Sequence, residues 1–184
     1  PAARAGDVRM TPRAPAIRLV TFGIGDAWYA AEIEYVERVL RHEGVHPVPN
    51  MPPWMEGVLE HQGRIVPVID LRRRFGLVEG DGRAPTSGGG RLLLLSLGAD
   101  VVAAAVDRVV DVRAVAEGEI ASPPRLVRGV AGEFLKGMVR RDDVMVLVLD
   151  IPRLLTPDEH LALDGCVPPP AAAVVAAAGS LDDA

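Results

Sequence analysis

The sequence predicts a mainly β protein built as two small β units, and three observations carry that reading. Apolar, β-prone runs recur along the chain, about eight to ten of them, each too short for an ordinary helix. Gly, Pro or Asp turn signals separate most of these runs, as at Gly25-Asp26, Gln62-Gly63 and Gly98-Ala99-Asp100. A Gly-, Pro- and Ser-rich stretch, residues 79–90 (EGDGRAPTSGGG), breaks the chain near its middle. Short strands with such punctuation favour barrels or a sandwich. At 184 residues the chain can bury ~70% of its unfolded surface, so a real core is available. Hydrophobic residues make up 49% and charged residues 24%, which excludes a wholly disordered chain.

The elements follow in order. Residues 1–16 are rich in Ala, Arg, Pro and Gly without periodicity and read as a disordered arm. Arg18–Ile24 and Trp28–Ile33 form a hairpin, and Val36, Val39 and Leu40 continue an apolar pattern that fits a strand or one helical turn. Pro47, Pro49, Pro52 and Pro53 forbid a long helix. Trp54–Glu56 fits one helical turn, stopped by Gly57. Val58–His61 and Arg64–Leu71 make a second hairpin around Gln62-Gly63, with Pro67 suited to an edge or a bulge. Leu92–Leu97 and Val101–Val106 pair across Gly98-Ala99-Asp100, and Val109–Val112 adds a further strand. Residues 117–133 look irregular, and Met138–Val139 with Val144–Asp150 makes a last hairpin. A helix then starts at Thr156, where a capping hydroxyl, Pro157 and Glu159 stand at N-cap, first and third positions. Residues 166–184 form a low-complexity Pro/Ala tail, read as disordered.

Composition removes several function classes. The net charge is −5, which argues against an electrostatic nucleic-acid binder. Low aromatic content (three Phe, two Trp, two Tyr) also argues against stacking on single strands. The single cysteine, Cys166, excludes an intrachain disulfide. Residues 1–20 contain no signal-peptide-like apolar stretch, and Asp100 interrupts the best membrane candidate, Leu92–Val106. A cytoplasmic protein without direct membrane insertion is the expectation. The first residue is Pro rather than Met, so the natural start is expected to lie upstream.

Few motifs suggest catalysis. His42-Glu43-Gly44-Val45-His46 fits H-E-x-x-H, which in zinc hydrolases places both histidines on one helical face with Glu as base. Here Gly44 and Pro47 deny the helix, so a solvated turn is the better reading and the zinc hydrolase an alternative. Gly23-Ile24-Gly25 has Trp28 where a nucleotide loop needs its third Gly, and Gly88-Gly89-Gly90 lacks a P-loop's Lys. The serines lack nucleophile-elbow flanks. Asp70, Asp107 and Asp150 each close an apolar run, where bonding to turn amides is far commoner than acid–base work. No catalytic residue, metal site or cofactor is assigned; an acidic, two-part β scaffold points to protein binding.

Three segments carry a family resemblance. Leu19–Ile33 (LVTFGIGDAWYAAEI), Pro49–Leu77 (PNMPPWMEGVLEHQGRIVPVIDLRRRFGL) and Leu92–Val112 (LLLLSLGADVVAAAVDRVVDV) resemble the CheW-like domain. The most specific pieces are Gly57-Val58, Gly63, Ile65–Arg72 and Phe75-Gly76, with Ala105-Val106-Asp107 and the ending Met145–Ile151, Leu154-Leu155. The resemblance spans about residues 17–165. It implies two five-stranded, SH3-like β-barrels side by side (about 23–78 and 91–155) with a short C-terminal helix, 157–165. It also implies a non-enzymatic adaptor that couples chemoreceptors to the regulatory domain of a CheA-type histidine kinase, in receptor arrays. No receiver or kinase segment accompanies the domain, so a stand-alone adaptor is the expectation. The alternative is the same adaptor in a non-flagellar pathway such as pilus motility.

The family's receptor-binding groove lies between the barrels. Its matching positions are Val36, Gly57, Gln62, Ala103, Val109 and Val112, and the kinase contact maps near Arg38 and Val39. For the valines a core position is the competing reading. Two departures stand out. Gln62 replaces an Arg of the family's hairpin tip, with Arg64 two residues on as a possible substitute. Arg38 stands where the family often has Glu, inverting a charge at the kinase contact. Charge swaps of this kind insulate parallel pathways.

Overall fold

The computed structural model describes residues 15–77, 89–123 and 130–166. The N-terminal arm, the Gly-rich connection and the Pro/Ala tail lie almost wholly outside the described residues. The strands are β1 (Ala16–Ile24), β2 (Ala27–Glu32), β3 (Val36–Arg41), β4 (Val45–His46), β5 (Met55–His61) and β6 (Arg64–Asp70), then β7 (Arg91–Leu97), β8 (Asp100–Val106), β9 (Arg108–Ala116), β10 (Leu135–Arg141) and β11 (Val144–Leu149). A single helical turn, α1 (Leu71–Arg74), follows β6, and helix α2 (Pro157–Cys166) ends the described chain.

The strands make two sheets, one of five strands in the order β10-β11-β2-β1-β9 and one of six in the order β3-β7-β8-β6-β5-β4. The sixth strand, beyond the five anticipated, is the two-residue β4. Neither sheet joins its own outer strands by backbone pairing among the described residues, so each is an open sheet in its hydrogen bonding. The sheets do not divide at the Gly-rich connection. β7 and β8, which follow it, pair with β3 and β6; β1 and β2, at the start, pair with β9 and β11 from the end. The boundaries 23–78 and 91–155 therefore do not separate the sheets. The physical reason is that β2–β11 and β6–β8 are parallel pairs, and parallel partners need long crossovers rather than tight turns.

Side-chain alternation explains the unbroken apolar runs. Along β7, Leu93 and Leu95 enter the large core shared by the two sheets, while Leu92 and Leu94 enter a small core of the six-stranded sheet alone. β8 repeats this, with Val102, Ala104 and Val106 in the shared core and Ala103 and Ala105 in the private one. In the five-stranded sheet Tyr29 and Ala31 face the shared core, and Ala30, Val146 and Val148 a third cluster. Strands buried on both faces read as continuous hydrophobic stretches rather than as alternation. The few aromatics concentrate in the shared core. Phe22, Tyr29, Phe75 and Phe134 form one chain of ring contacts, with centroids 6.1, 5.5 and 5.7 Å apart.

Several local expectations are corrected. Trp54–Glu56 is not a helical turn: Met55 and Glu56 begin β5, because Met55 reaches the shared core in register with Ile69. Pro67 lies in an interior strand, but β8 pairs β6 only from Val68 onward, so Pro67 has a paired neighbour on one side alone. Asp100 begins β8 instead of closing the turn. Leu71 opens α1, where Asp70 accepts hydrogen bonds from the Arg72 and Arg73 amides at 2.9 and 3.3 Å. At the other end Thr156 and Glu159 exchange the two bonds of a capping box (2.8 and 3.3 Å).

Candidate functional site

Outer strands present backbone and side chains to partners most readily, and β3 and β9 are outer strands of the two sheets. On β3, Val36 opposes Leu95 and Val39 opposes Leu93, while Arg38 opposes Leu94. Directly opposed residues share a face. Leu95 and Leu93 are shared-core residues, so Val36 and Val39 lie on that face and Arg38 on the other. A register shift between Val36 and Arg38 absorbs Glu37 and keeps the two valines together. Val36 packs on the core's margin, whereas Val39 is 42% exposed. Arg38 is exposed and has no ion-pair partner among the described residues.

β9 shows the same device. Thr21 opposes Asp111 and Phe22 opposes Val109, so Val110 is the extra residue of a bulge. The bulge turns Val110 outward (46% exposed) and leaves Val109 packed on the shared core. Val112 opposes Val20, a shared-core residue, yet is 48% exposed. The structure thus brings Val36, Val39, Val109 and Val112 onto shared-core faces of the two outer strands, two of them half-exposed. Sequence reasoning did not single out Val110; the bulge shows only in the odd spacing of Val109 and Val112, which share a face three residues apart.

Other predicted positions fall elsewhere. Ala103 is 0% exposed in the private core of the six-stranded sheet, where no partner reaches it. Gly57 is buried, and a Cβ there would run into the backbone carbonyl of His46 on β4. Its glycine is accounted for by strand packing. Gln62 is exposed at the β5–β6 tip with φ 53°, followed by Gly63 at φ 73°. These are the two left-handed positions of a tight hairpin turn. Arg64 opens β6 opposite His61, so Gln62 and Arg64 are not alternate residues of one strand and the substitution by face is not supported.

His42 and His46 share no helix. Gly44 adopts φ 71°, His46 sits in β4, and His42 Nε2 lies 2.9 Å from a Glu56 carboxylate oxygen. Among the described residues no group of three or more metal-ligating side chains could hold an ion. Asp70 is a helix cap, and Asp107 accepts from the Gly25 amide (2.6 Å) and from Arg72. The Asp107 contacts tie the β1–β2 turn and α1 to the β8–β9 junction, and are structural. So is Arg74, whose side chain lies 4.8 Å from both the Trp54 and Phe134 rings and bonds both Glu159 carboxylate oxygens at 2.7 and 2.6 Å. Among the described residues no helix is long and apolar enough to cross a membrane.

Half-exposed valines thus stand among charged residues on two outer strands. Residues 18–159 match the CheW-like domain. The chain is similar to the chemotaxis protein CheW of Treponema pallidum, with 30% identity over 77% of this chain and 84% of the relative. It is similar to CheW of Klebsiella aerogenes at 29% (78% and 84%), and to Protein FrzA of Myxococcus xanthus at 33% (65% and 71%). The crystal structure of the scaffolding protein TtCheW from Thermoanaerobacter tengcongensis aligns with a TM-score of 0.69 at 25% identity, covering 84% of this chain and 96% of that one. This chain belongs to the CheW-like domain family.

Proposed function

We propose that the chain is a chemosensory adaptor, not an enzyme, that couples chemoreceptors to a CheA-type histidine kinase. The observation that carries this reading is the match of residues 18–159, nearly all of the described fold, to the CheW-like domain. The outer strands refine it. In this reading Arg38 and Val39, both exposed on β3, contact the kinase regulatory domain. Val36, Val109 and Val112 are the assigned receptor contacts, because they occupy the shared-core face on outer strands of both sheets. Gln62 is kept as a tip contact; Gly57 and Ala103, both buried, are not kept as direct contacts. The cytoplasmic tip of a methyl-accepting receptor supplies the other partner, at membrane-associated arrays.

The test is a pair of substitutions. Val39→Asp places a charge on a half-exposed apolar position and is expected to weaken binding to the regulatory domain at least tenfold without lowering the melting temperature by more than about 2 °C. Val112→Asp is expected to spare kinase binding and weaken receptor binding. Unchanged kinase binding by Val39→Asp would remove that site assignment. A second reading, the same adaptor in a non-flagellar pathway such as pilus motility, changes only the receptor and kinase supplied. The similarity to Protein FrzA shows that relatives are not confined to proteins named for chemotaxis.

A further inference from the structure

β9 and β10, the outer strands of the five-stranded sheet, have no backbone pairing with each other among the described residues. Side chains bridge them instead. Arg141 of β10 donates from both terminal nitrogens to Asp111 of β9, at 3.2 and 2.8 Å. Beside this bridge lies a cavity of about 270 Å³. Its floor is apolar, formed by the buried Leu19, Ala30, Val139 and Val146. At roughly 30 Å³ per water-sized volume it has room for a molecule of about nine non-hydrogen atoms.

Two polar groups in the lining lack a use within the fold. Thr21 is 4% exposed and lines the cavity. It opposes Ala30 on one side and Asp111 on the other, so all three share the face of the third cluster. Its hydroxyl takes part in none of the side-chain hydrogen bonds among the described residues, and Thr21 forms part of the cavity wall. Arg113 opposes Leu19, two residues along β1 from Thr21, or about 6.6 Å along the strand. It is exposed and has no carboxylate partner among the described residues. Arg140 adds positive charge at the rim, since its pairing with Asp143 is long (3.8 Å) and open to solvent. Glu119 is the opposing charge, and it accepts the Ala116 amide at 2.8 Å. The mouth thus carries a surplus of arginine on an acidic protein.

We propose that this cavity binds a small amphipathic carboxylate bearing a second polar group. The carboxylate pairs with Arg113, whose guanidinium fork suits it. The apolar body lies on Leu19, Ala30, Val139 and Val146, and the second polar group bonds the Thr21 hydroxyl. A benzene ring with a carboxylate and a para hydroxyl combines these three features. The plain alternative is that the charges of β9 and β10 only guard unpaired strand edges.

The test is a titration of the full chain with 4-hydroxybenzoate, benzoate and the neutral isostere 4-hydroxybenzamide, followed by amide chemical shifts. The expected result is saturable single-site binding of 4-hydroxybenzoate with shifts at Thr21, Arg113 and Val139. The amide isostere and Arg113→Gln should each weaken it about tenfold or more. Thr21→Val, of equal size, should weaken 4-hydroxybenzoate and leave benzoate unchanged. An absence of saturable binding by all three probes would overturn the proposal. So would binding indifferent to Arg113→Gln in a variant whose spectrum shows the native fold.

Discussion

Replacing Arg74 with alanine should destabilise the fold more than any other single loss of a charged side chain. The guanidinium makes two bonds to Glu159 and one from Nε to the Leu154 carbonyl at 3.1 Å, and it lies between two aromatic rings. It thereby fastens α2 to α1, to Trp54 and to the Phe134 end of the aromatic chain. Charge-assisted bonds contribute about 1.5–3 kcal/mol, and each ring contact adds about 0.5–1. Against this, Glu159 stays 23% exposed, so water recovers part of its solvation once Arg74 is gone. The net loss is about 3–4 kcal/mol, or a fall in melting temperature of roughly 6–16 °C for a chain of this size. Burial raises the Glu159 pKa, but the Thr156 amide and Arg74 outweigh it and hold the carboxyl below its ordinary value. A depressed folded pKa means stability present above about pH 4.3, the unfolded value, and lost as pH falls through the folded one. The gap between the native chain and Arg74→Ala should therefore narrow in acid. Calorimetric melts of Arg74→Ala, Glu159→Gln and the double variant measure the pair. A fall under about 3 °C, or simple additivity of the two changes, would refute the reasoning.

Further outcomes follow from single residues. Gly57→Ala should lower stability by about 2–3 kcal/mol in urea melts, because β4 must move to clear the new methyl. Gln62→Asn should raise it by about 0.5–1 kcal/mol, since Asn tolerates the left-handed backbone better, while Gln62→Arg should tighten binding to a standard receptor tip. Lys136 is held above its ordinary pKa by its bond to Glu32, a hydrogen bond that outweighs burial. A raised folded pKa gives stability that is complete below about pH 10.4 and lost above it as Lys136 deprotonates. Lys136→Met should therefore melt below the native chain at pH 8, and the difference should close in stronger alkali.

The hairpins were legible because their turns use local chemistry: Gly25-Asp26, Gln62-Gly63 and Asp142-Asp143 each sit where strands reverse. The α2 start was legible for the same reason, in Thr156, Pro157 and Glu159. The exchange of strands between sheets was not. It rests on parallel pairs such as Val68–Ala103 and Val146–Trp28, which join segments far apart in the chain and leave no local signal. The candidate surface was half legible. Composition cannot tell Val112, half-exposed, from Ala103, sealed in a core, because both stand in β-prone runs. One bulge turns Val110 outward and another keeps Val36 and Val39 on one face, and a bulge is set by register with a distant partner.

The central claim is coupling, and the most direct measurement is kinase autophosphorylation in the presence of receptor-bearing membranes, with and without this chain, using a CheA-type kinase and receptor from the same organism. The account predicts receptor-dependent control of the kinase only when the chain is added, reduced by Val39→Asp and by Val112→Asp. Kinase activity indifferent to the chain, with no binding to the regulatory domain, would contradict it.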